Sequence, residues 1–376
     1  MSSIADNCCR AWVEVDLGAI VANLRAMAAR VAPCKLLAVV KGDAYGMGAH
    51  AVARAALDSG VVSQLGVASL EEALELADFP LPKHIISAVL PGEIPESVRQ
   101  GFILPVVDLA EAAAISAEAV RQNRRACCEL KIDTGMGRLG IPLAQAVETS
   151  VEIAKLPNLD IAGAFTHLAC AGTPHDEFTL GQISGLVDLA AELRRRGVNV
   201  PNLHCAASDA IVNYAESFRA PFTMVRPGAA IYGACTSPDP ALVLRPAVAF
   251  KGRLIAVKEL PAGHSLGYSR LCRLQKRSRI GIISAGYCDG VKIPLTNRGY
   301  VLIGGAFRPV AGRVSMDYTT ILLDGPDTPE IGAEAVFIGA QGDCRITVEE
   351  YARINGTVTQ EIMCSFAPRV KRVYIK

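Results

Sequence analysis

The sequence predicts an α/β protein: a (β/α)8 barrel (TIM-like) followed by a mainly β C-terminal domain. Two observations predict it. Between residues 36 and 231, short apolar runs alternate with amphipathic helical stretches eight times. That is the pattern of parallel strands covered by helices. Beyond about residue 240 the helical periodicity nearly vanishes, and strand-like runs separated by Gly and Pro take over. A chain of 376 residues is long enough for two sizeable cores. A doubly wound open sheet is the alternative to the barrel. It usually has fewer units and a Gly-x-Gly-x-x-Gly turn after its first strand, which the spacing of Gly42, Gly46 and Gly48 does not match.

Residues 11–15 alternate at period 2 and predict a half-buried strand, followed by a helix over 17–31 with Asp16 as N-cap. Strands are expected at 36–40, 65–68, 85–89, 103–107, 127–132, 161–166, 202–206 and 224–231. Helical patterns fill gaps between them, as at 70–77, 108–121, 143–153, 178–196 and 209–215. The style changes at Thr236-Ser237-Pro238-Asp239-Pro240, a short Pro-rich linker that places one domain at 1–240 and the other at 241–376. Strands of the second domain are expected at 247–257, 279–284, 300–303, 307–310, 318–323 and 335–338.

Composition narrows the function. Hydrophobic residues make up 51% and charged residues 20%, and the net charge is +1. That balance gives no reason to expect nucleic acid or an anionic membrane as partner, and it mildly favours self-association. The 12 cysteines show no Cys-x-x-Cys spacing, so no metal site is expected. They imply a reducing compartment, and residues 1–10 lack the apolar core of a signal peptide, so a cytoplasmic location is expected.

The chemistry centres on Leu37-Ala38-Val39-Val40-Lys41-Gly42-Asp43-Ala44-Tyr45-Gly46-Met47-Gly48. An apolar strand stops at a lysine, at the end of the strand where barrels keep their chemistry. Burial disfavours the charged ammonium, and a neutral amine can form a Schiff base with a carbonyl. The bland alternative is a lysine that snorkels from a strand end.

The run from Val40 to Gly48 resembles the pyridoxal-phosphate lysine motif of the alanine racemase family, Lys-Ala-Asp-Ala-Tyr-Gly-His-Gly, with departures at Gly42 and Met47. The resemblance extends from about Val13 to Tyr374. It implies pyridoxal 5'-phosphate as cofactor, Lys41 as the Schiff-base lysine and one catalytic base, and a first strand that joins the β domain. Gly267-Tyr268-Ser269-Arg270 resembles Ser-Tyr-Gly-Arg, with Ser and Gly exchanged about the tyrosine, and makes Tyr268 the second base. Read without the family, Tyr268 is a surface tyrosine in a β loop.

Other motifs fill out the site. Val225-Arg226-Pro227-Gly228 resembles Val-Arg-x-Gly, whose arginine donates to the pyridine nitrogen. Arginine keeps its proton, so that nitrogen stays unprotonated. Thr166-His167 matches a Thr-His pair whose histidine couples this arginine to the catalytic tyrosine. Alone, a strand-end histidine is more often structural than catalytic. Lys131-Ile132-Asp133-Thr134-Gly135-Met136-Gly137-Arg138 nearly repeats the family run. There Arg138 holds the substrate carboxylate, and Lys131 matches a lysine often carbamylated, the carbamate orienting that arginine. Tyr45, Ser208, Gly228, Ala229 and Tyr374 are implied as phosphate-binding. In His204-Cys205-Ala206-Ala207-Ser208, Ala207 replaces the family's Asn. Gly312-Arg313-Val314-Ser315-Met316-Asp317 implies Met316 and Asp317 at the substrate, and Gly286-Tyr287-Cys288-Asp289-Gly290 implies Tyr287 at a narrow entrance. Ile293 stands where the family often has Arg, so the access corridor differs.

Taken together, the resemblance implies a two-base racemase interconverting L- and D-alanine. It further implies a role in supplying D-alanine for peptidoglycan, and a homodimer whose subunits complete each other's sites. The rivals are a racemase for serine or a broader range of amino acids, and an amino-acid decarboxylase of the same architecture. Arg226 opposes the latter, which places an acid at the pyridine nitrogen. A cofactor-carrier barrel is a further rival, opposed by the β domain with Tyr268 and Met316.

Overall fold

The computed structural model describes residues 9–235, 241–325 and 328–376, so the linker expected at 236–240 lies outside the described residues. The chain divides into two compact units: one holds Ile20–Ala44 and Ala49–Arg245, the other the N-terminal strand, Tyr45–Gly48 and Pro246–Lys376.

The chain opens with β1 (Ala11–Asp16), and Asp16 caps the helix Leu17–Val31 by accepting from the Ala19 N–H at 2.7 Å. The barrel unit then carries β2 (Lys35–Val39), β3 (Val62–Val67), β4 (Lys83–Ile85), β5 (Leu104–Val106), β6 (Ala126–Asp133), β7 (Ile141–Pro142), β8 (Leu159–Phe165), β9 (Asn202–His204) and β10 (Met224–Val225). Parallel pairing runs β10-β2-β3-β4 in one sheet and β5-β6-β8-β9 in another. Parallel bridges from His84 to Ile103 and from Ala207 to Arg226 join the two sheets at both seams. Eight parallel strands therefore close on themselves, as the eightfold alternation predicts; β7 is a short appendage pairing with β6. Leu36, Leu37, Ala38, Val39 and Val40 are all buried, as a strand covered on both faces requires.

Several elements depart from expectation. The strand expected over 224–231 stops at Val225, and Ala229–Tyr232 forms a 3-10 turn instead. Pro227 has no N–H to continue a ladder. The strand expected at 85–89 sits earlier, at Lys83–Ile85.

The second unit is built on the long β11 (Val248–Leu260), which pairs antiparallel with β1. It continues through β12 (Ser265–Leu266), β13 (Cys272–Arg273), β14 (Ser278–Ile283), β15 (Tyr300–Ile303), β16 (Ala306–Pro309), β17 (Thr319–Leu322), β18 (Glu334–Gln341), β19 (Cys344–Ile346) and β20 (Lys371–Ile375). β11 also pairs antiparallel with β14 and β18, while β20 runs parallel to β1. Two helices that the sequence pattern did not suggest, Val348–Asn355 and Thr359–Cys364, precede β20. Among the described residues no helix is long and apolar enough to cross a membrane.

Candidate active site

Lys41 follows β2 by two residues, at the C-terminal end of a barrel strand. The chain then does something the sequence did not announce. Gly42, Asp43, Ala44, Tyr45 and Gly46 all have φ between 50° and 78°, a complete left-handed helical turn. For L-residues this costs about 1–2 kcal/mol each, so the surroundings must impose it. Glu72 supplies one hold: its carboxylate accepts from Gly42 N–H and Ala68 N–H, both at 2.7 Å. Asp43 accepts from Ala49 N–H at 2.6 Å, and the Tyr232 hydroxyl donates to Ala44 O at 2.6 Å.

Around the same mouth of the barrel stand the other predicted cations. Lys131 points inward from β6, is buried, and donates to Ile86 O at 2.8 Å and Ser87 O at 3.0 Å. Burial pushes its ammonium down to about 8, helped by the charges of Arg138, Arg226 and Lys41. Arg138 is exposed in the loop after β6, which Asp133 folds by accepting from Gly135 N–H at 2.9 Å and Gly137 N–H at 3.1 Å. His167 follows β8, and burial together with Arg226, Arg138, Lys41 and Lys131 drives its imidazole down to about 3. It is therefore neutral in ordinary solution. Arg226, one residue beyond β10, is buried, and its guanidinium comes down to about 10 through that burial. Its imidazole partner is His204: Nη1 lies 2.6 Å from His204 Nδ1, while Nη2 donates to Thr166 O at 2.6 Å and Cys205 O at 3.2 Å.

Ser208 and the Gly228–Ala230 segment form a small polar cradle. Ser208 Oγ accepts from Gly228 N–H at 3.0 Å and from Ala230 N–H at 3.1 Å. Both lone pairs are thus engaged, and the hydroxyl proton is what remains to donate. The Gly228 amide points at Ser208 here, so this hydroxyl is the polar tip of the cradle.

The β unit arranges its own predicted residues around the segment from Gly312 to Asp317. Tyr268 sits in the loop between β12 and β13, after Gly267 at φ 67°. A Cβ on Gly267 would stand 3.1 Å from Arg313 N, so glycine lets this loop pack on the segment. The Tyr287 turn packs on it too: Tyr287 N–H donates to Ser315 O at 2.9 Å and Cys288 N–H to Met316 O at 3.0 Å. Asp317 accepts from Arg369 at 2.7 Å, and Arg369 also grips the buried Asp289 at 2.7 Å. Tyr268 is 68% exposed and Met316 51%. Within the same unit the Tyr374 hydroxyl fits against Gly48, where a Cβ would come within 2.0 Å, and Arg372 donates to Gly46 O at 2.8 Å. Burial, with a smaller contribution from Cys364, pushes the Tyr45 hydroxyl up to about 12, so it stays a donor. Ile293 is 41% exposed, beside Lys292, which pairs with Glu361 at 3.5 Å.

The barrel residues fit an anionic cofactor. Lys41, Lys131, Arg138 and Arg226 are close enough to perturb one another or His167, and nearby anionic charge comes from Glu111 and Glu129. Such an excess of positive charge, beside a hydroxyl with a proton to give, suits a phosphate and a carboxylate. Pyridoxal phosphate brings the first and an amino-acid substrate the second.

Sequence reasoning missed three members of this constellation: Glu72, His204 as the partner of Arg226, and Glu129 behind it. A signal was present for Glu72, since Ser69-x-x-Glu72 is a capping box. The Ser69 side chain does accept from Glu72 N–H.

The chain matches the family model "Alanine racemase, N-terminal domain" over residues 15–236 and "Alanine racemase, C-terminal domain" over residues 247–374. It is 37% identical to the alanine racemase of Desulfosudis oleivorans, across 97% of this chain and 96% of that one. Its structure is similar to the alanine racemase from Streptomyces coelicolor A3(2), with TM-score 0.91 and 33% identity over 99% of this chain and 100% of the other. It is also similar to the Bartonella henselae alanine racemase with covalently bound pyridoxal phosphate, with TM-score 0.88 and 27% identity over 97% and 99% of the two chains.

Proposed function

The chain belongs to the alanine racemase family of pyridoxal-phosphate-dependent isomerases, and on that premise we propose how its residues divide the work. The observation that carries the reading is Lys41, held by an imposed left-handed turn among mutually repelling cations at the C-terminal mouth of an eight-stranded barrel. Bound pyridoxal phosphate supplies the electron sink for the pair left at the substrate Cα.

This chain's residues do the rest. The Lys41 amine takes and returns a proton on one face of Cα. Tyr268 does so on the other. Arg138 holds the substrate carboxylate and so fixes which bond faces each base. Arg226 donates to the ring nitrogen and keeps it unprotonated. His167, neutral here, couples Arg226 to Tyr268. Ser208, Ala229, Tyr45 and Tyr374 bind the phosphate, and the Gly228 N–H holds the Ser208 hydroxyl toward it. Met316, Asp317 and Tyr287 bound the substrate site and keep it small. Lys131 carries a carbamate, formed when its neutral amine adds to carbon dioxide and releases a proton. The depressed ammonium favours this chemistry, and the resulting anion would steady Arg138.

The exposure of Tyr268 and Met316 in a single chain, and a net charge of only +1, support a homodimer in which the partner subunit covers them. The cysteines among the described residues are free thiols, which supports a reducing, cytoplasmic setting. The D-alanine produced there would supply peptidoglycan. Conversion of L-alanine, measured by circular dichroism alongside a panel of other amino acids, tests the assignment. Lys41→Ala should lose at least about 10³-fold in rate, a base's usual contribution. Turnover of Lys41→Ala near the wild-type rate, or a preference for serine over alanine, would overturn it.

A further inference from the structure

Behind Arg226 lies a buried chain of polar contacts that the racemase chemistry as set out above leaves unused. Arg226 Nη1 is 2.6 Å from His204 Nδ1, and His204 Nε2 is 2.5 Å from Glu129 Oε2. His204 and Glu129 are fully buried. The ring of His204 lies flat on Phe165, centroids 5.1 Å apart and 8° between planes, and the Arg226 guanidinium sits 5.3 Å from the same ring. His84, also buried, closes the far side with Nδ1 3.8 Å from Glu129.

The proton count along this chain is fixed by elimination. A guanidinium only donates, so His204 Nδ1 must accept. The neutral imidazole then carries its one proton on Nε2 and gives it to Glu129. Burial alone would raise the Glu129 carboxyl, but the hydrogen bond from His204 and the charge of Arg226 hold it below the ordinary carboxylate range, so the acceptor is anionic.

The trio His84, Glu129 and His204 also has the composition of a metal site, with ligand atoms within 4.8 Å of one another. The same elimination counts against a metal. An ion on His204 Nε2 would displace the proton while Nδ1 still accepts from Arg226, leaving an imidazolate.

We infer that Glu129, acting through His204, is a positioning residue for Arg226: it anchors the imidazole that in turn aims the guanidinium at the cofactor's ring nitrogen. The inference rests on the placement of Arg226 at that nitrogen, and a binding measurement separates the two. Full-length protein freed of cofactor is titrated with pyridoxal phosphate and with the analogue carrying C–H in place of the ring nitrogen. Both probes keep the same aldehyde and phosphate, so the ratio of their affinities reports the contact at the ring nitrogen and largely cancels the rest.

Arg226→Gln should abolish the wild-type preference for pyridoxal phosphate. Glu129→Leu should lower that preference at least fivefold, and Glu129→Gln, which can still accept from His204 Nε2, should keep it within twofold. In the Arg226→Gln background, Glu129→Leu should change the ratio no further, whereas a general packing defect would weaken both probes alike. Should Glu129→Leu fail to fold, His204→Phe cuts the link from the other end while keeping the stack on Phe165, and it must lower the preference equally. A preference unchanged in Glu129→Leu, or in His204→Phe, while Arg226→Gln abolishes it, overturns the inference alone. A preference unchanged in Arg226→Gln overturns the placement of Arg226 itself, and the relay with it.

Discussion

Two bases that serve opposite faces of one carbon can be separated by asking each to work alone. Tyr268→Phe removes a phenol from an exposed loop of the β unit and leaves Lys41 untouched. We propose, as the family resemblance implies, that Lys41 meets the Cα proton of D-alanine. In deuterated solvent the variant should therefore go on exchanging that proton, while exchange from L-alanine falls by about 10²-fold or more. Equal losses for both enantiomers, followed by NMR, would remove Tyr268 from the L face. At this scale the sequence was legible wherever a cation or hydroxyl directly follows an apolar strand, as at Lys41, Thr166-His167 and Arg226. It was silent on Glu129 and His204 as a pair, because the contact joins residues 75 apart and exists only once the barrel closes. An acid inside an apolar strand reads as an anomaly until its imidazole arrives from the other side.

The turn from Gly42 to Gly46 sets the aim of Lys41, and its backbone conformation runs against what Asp43, Ala44 and Tyr45 prefer. Gly42 and Gly46 at its two ends could be read as loop residues, but nothing in the three between them signals positive φ. The strands around it were read to within a few residues because burial on both faces writes a continuous apolar run. The error at 224–231 came from carrying such a run through Pro227-Gly228. Glu72 is the element's external brace, one carboxylate oxygen for Gly42 N–H and one for Ala68 N–H. Glu72→Gln keeps one acceptor and turns the other into a donor facing an N–H. Losing a charge-assisted bond of about 1.5–3 kcal/mol should let the turn relax. Because small misplacements are costly in rate, kcat should drop roughly tenfold with KM less affected. A variant with wild-type kcat would show that the turn stands without this brace.

At the scale of the whole molecule, closing eight strands gathers Lys41, Lys131, Arg138, His167 and Arg226 at one end of one unit, while Tyr268, Tyr287, Met316 and Asp317 gather in the other. The eightfold rhythm made the barrel legible. That rhythm says nothing of association between chains, and the homodimer is expected from the family resemblance and a net charge of only +1. We propose that each site takes Lys41 from one protomer and the partner subunit's Tyr268. Lys41→Ala chains co-expressed with Tyr268→Phe chains test this, since each is nearly inactive alone. In a hybrid dimer with shared sites, one site collects both lesions and the other collects neither. Activity should return to about half of wild type per hybrid, the fraction an isologous pair with one intact site must show. The reverse arrangement, both lesions on one chain and none on the other, puts one lesion in each site and should leave the hybrids nearly dead. If instead the first mixture stays inactive although hybrids are isolated by dual affinity tags, and the reverse arrangement keeps half its activity, each chain builds its own site and the shared arrangement is wrong.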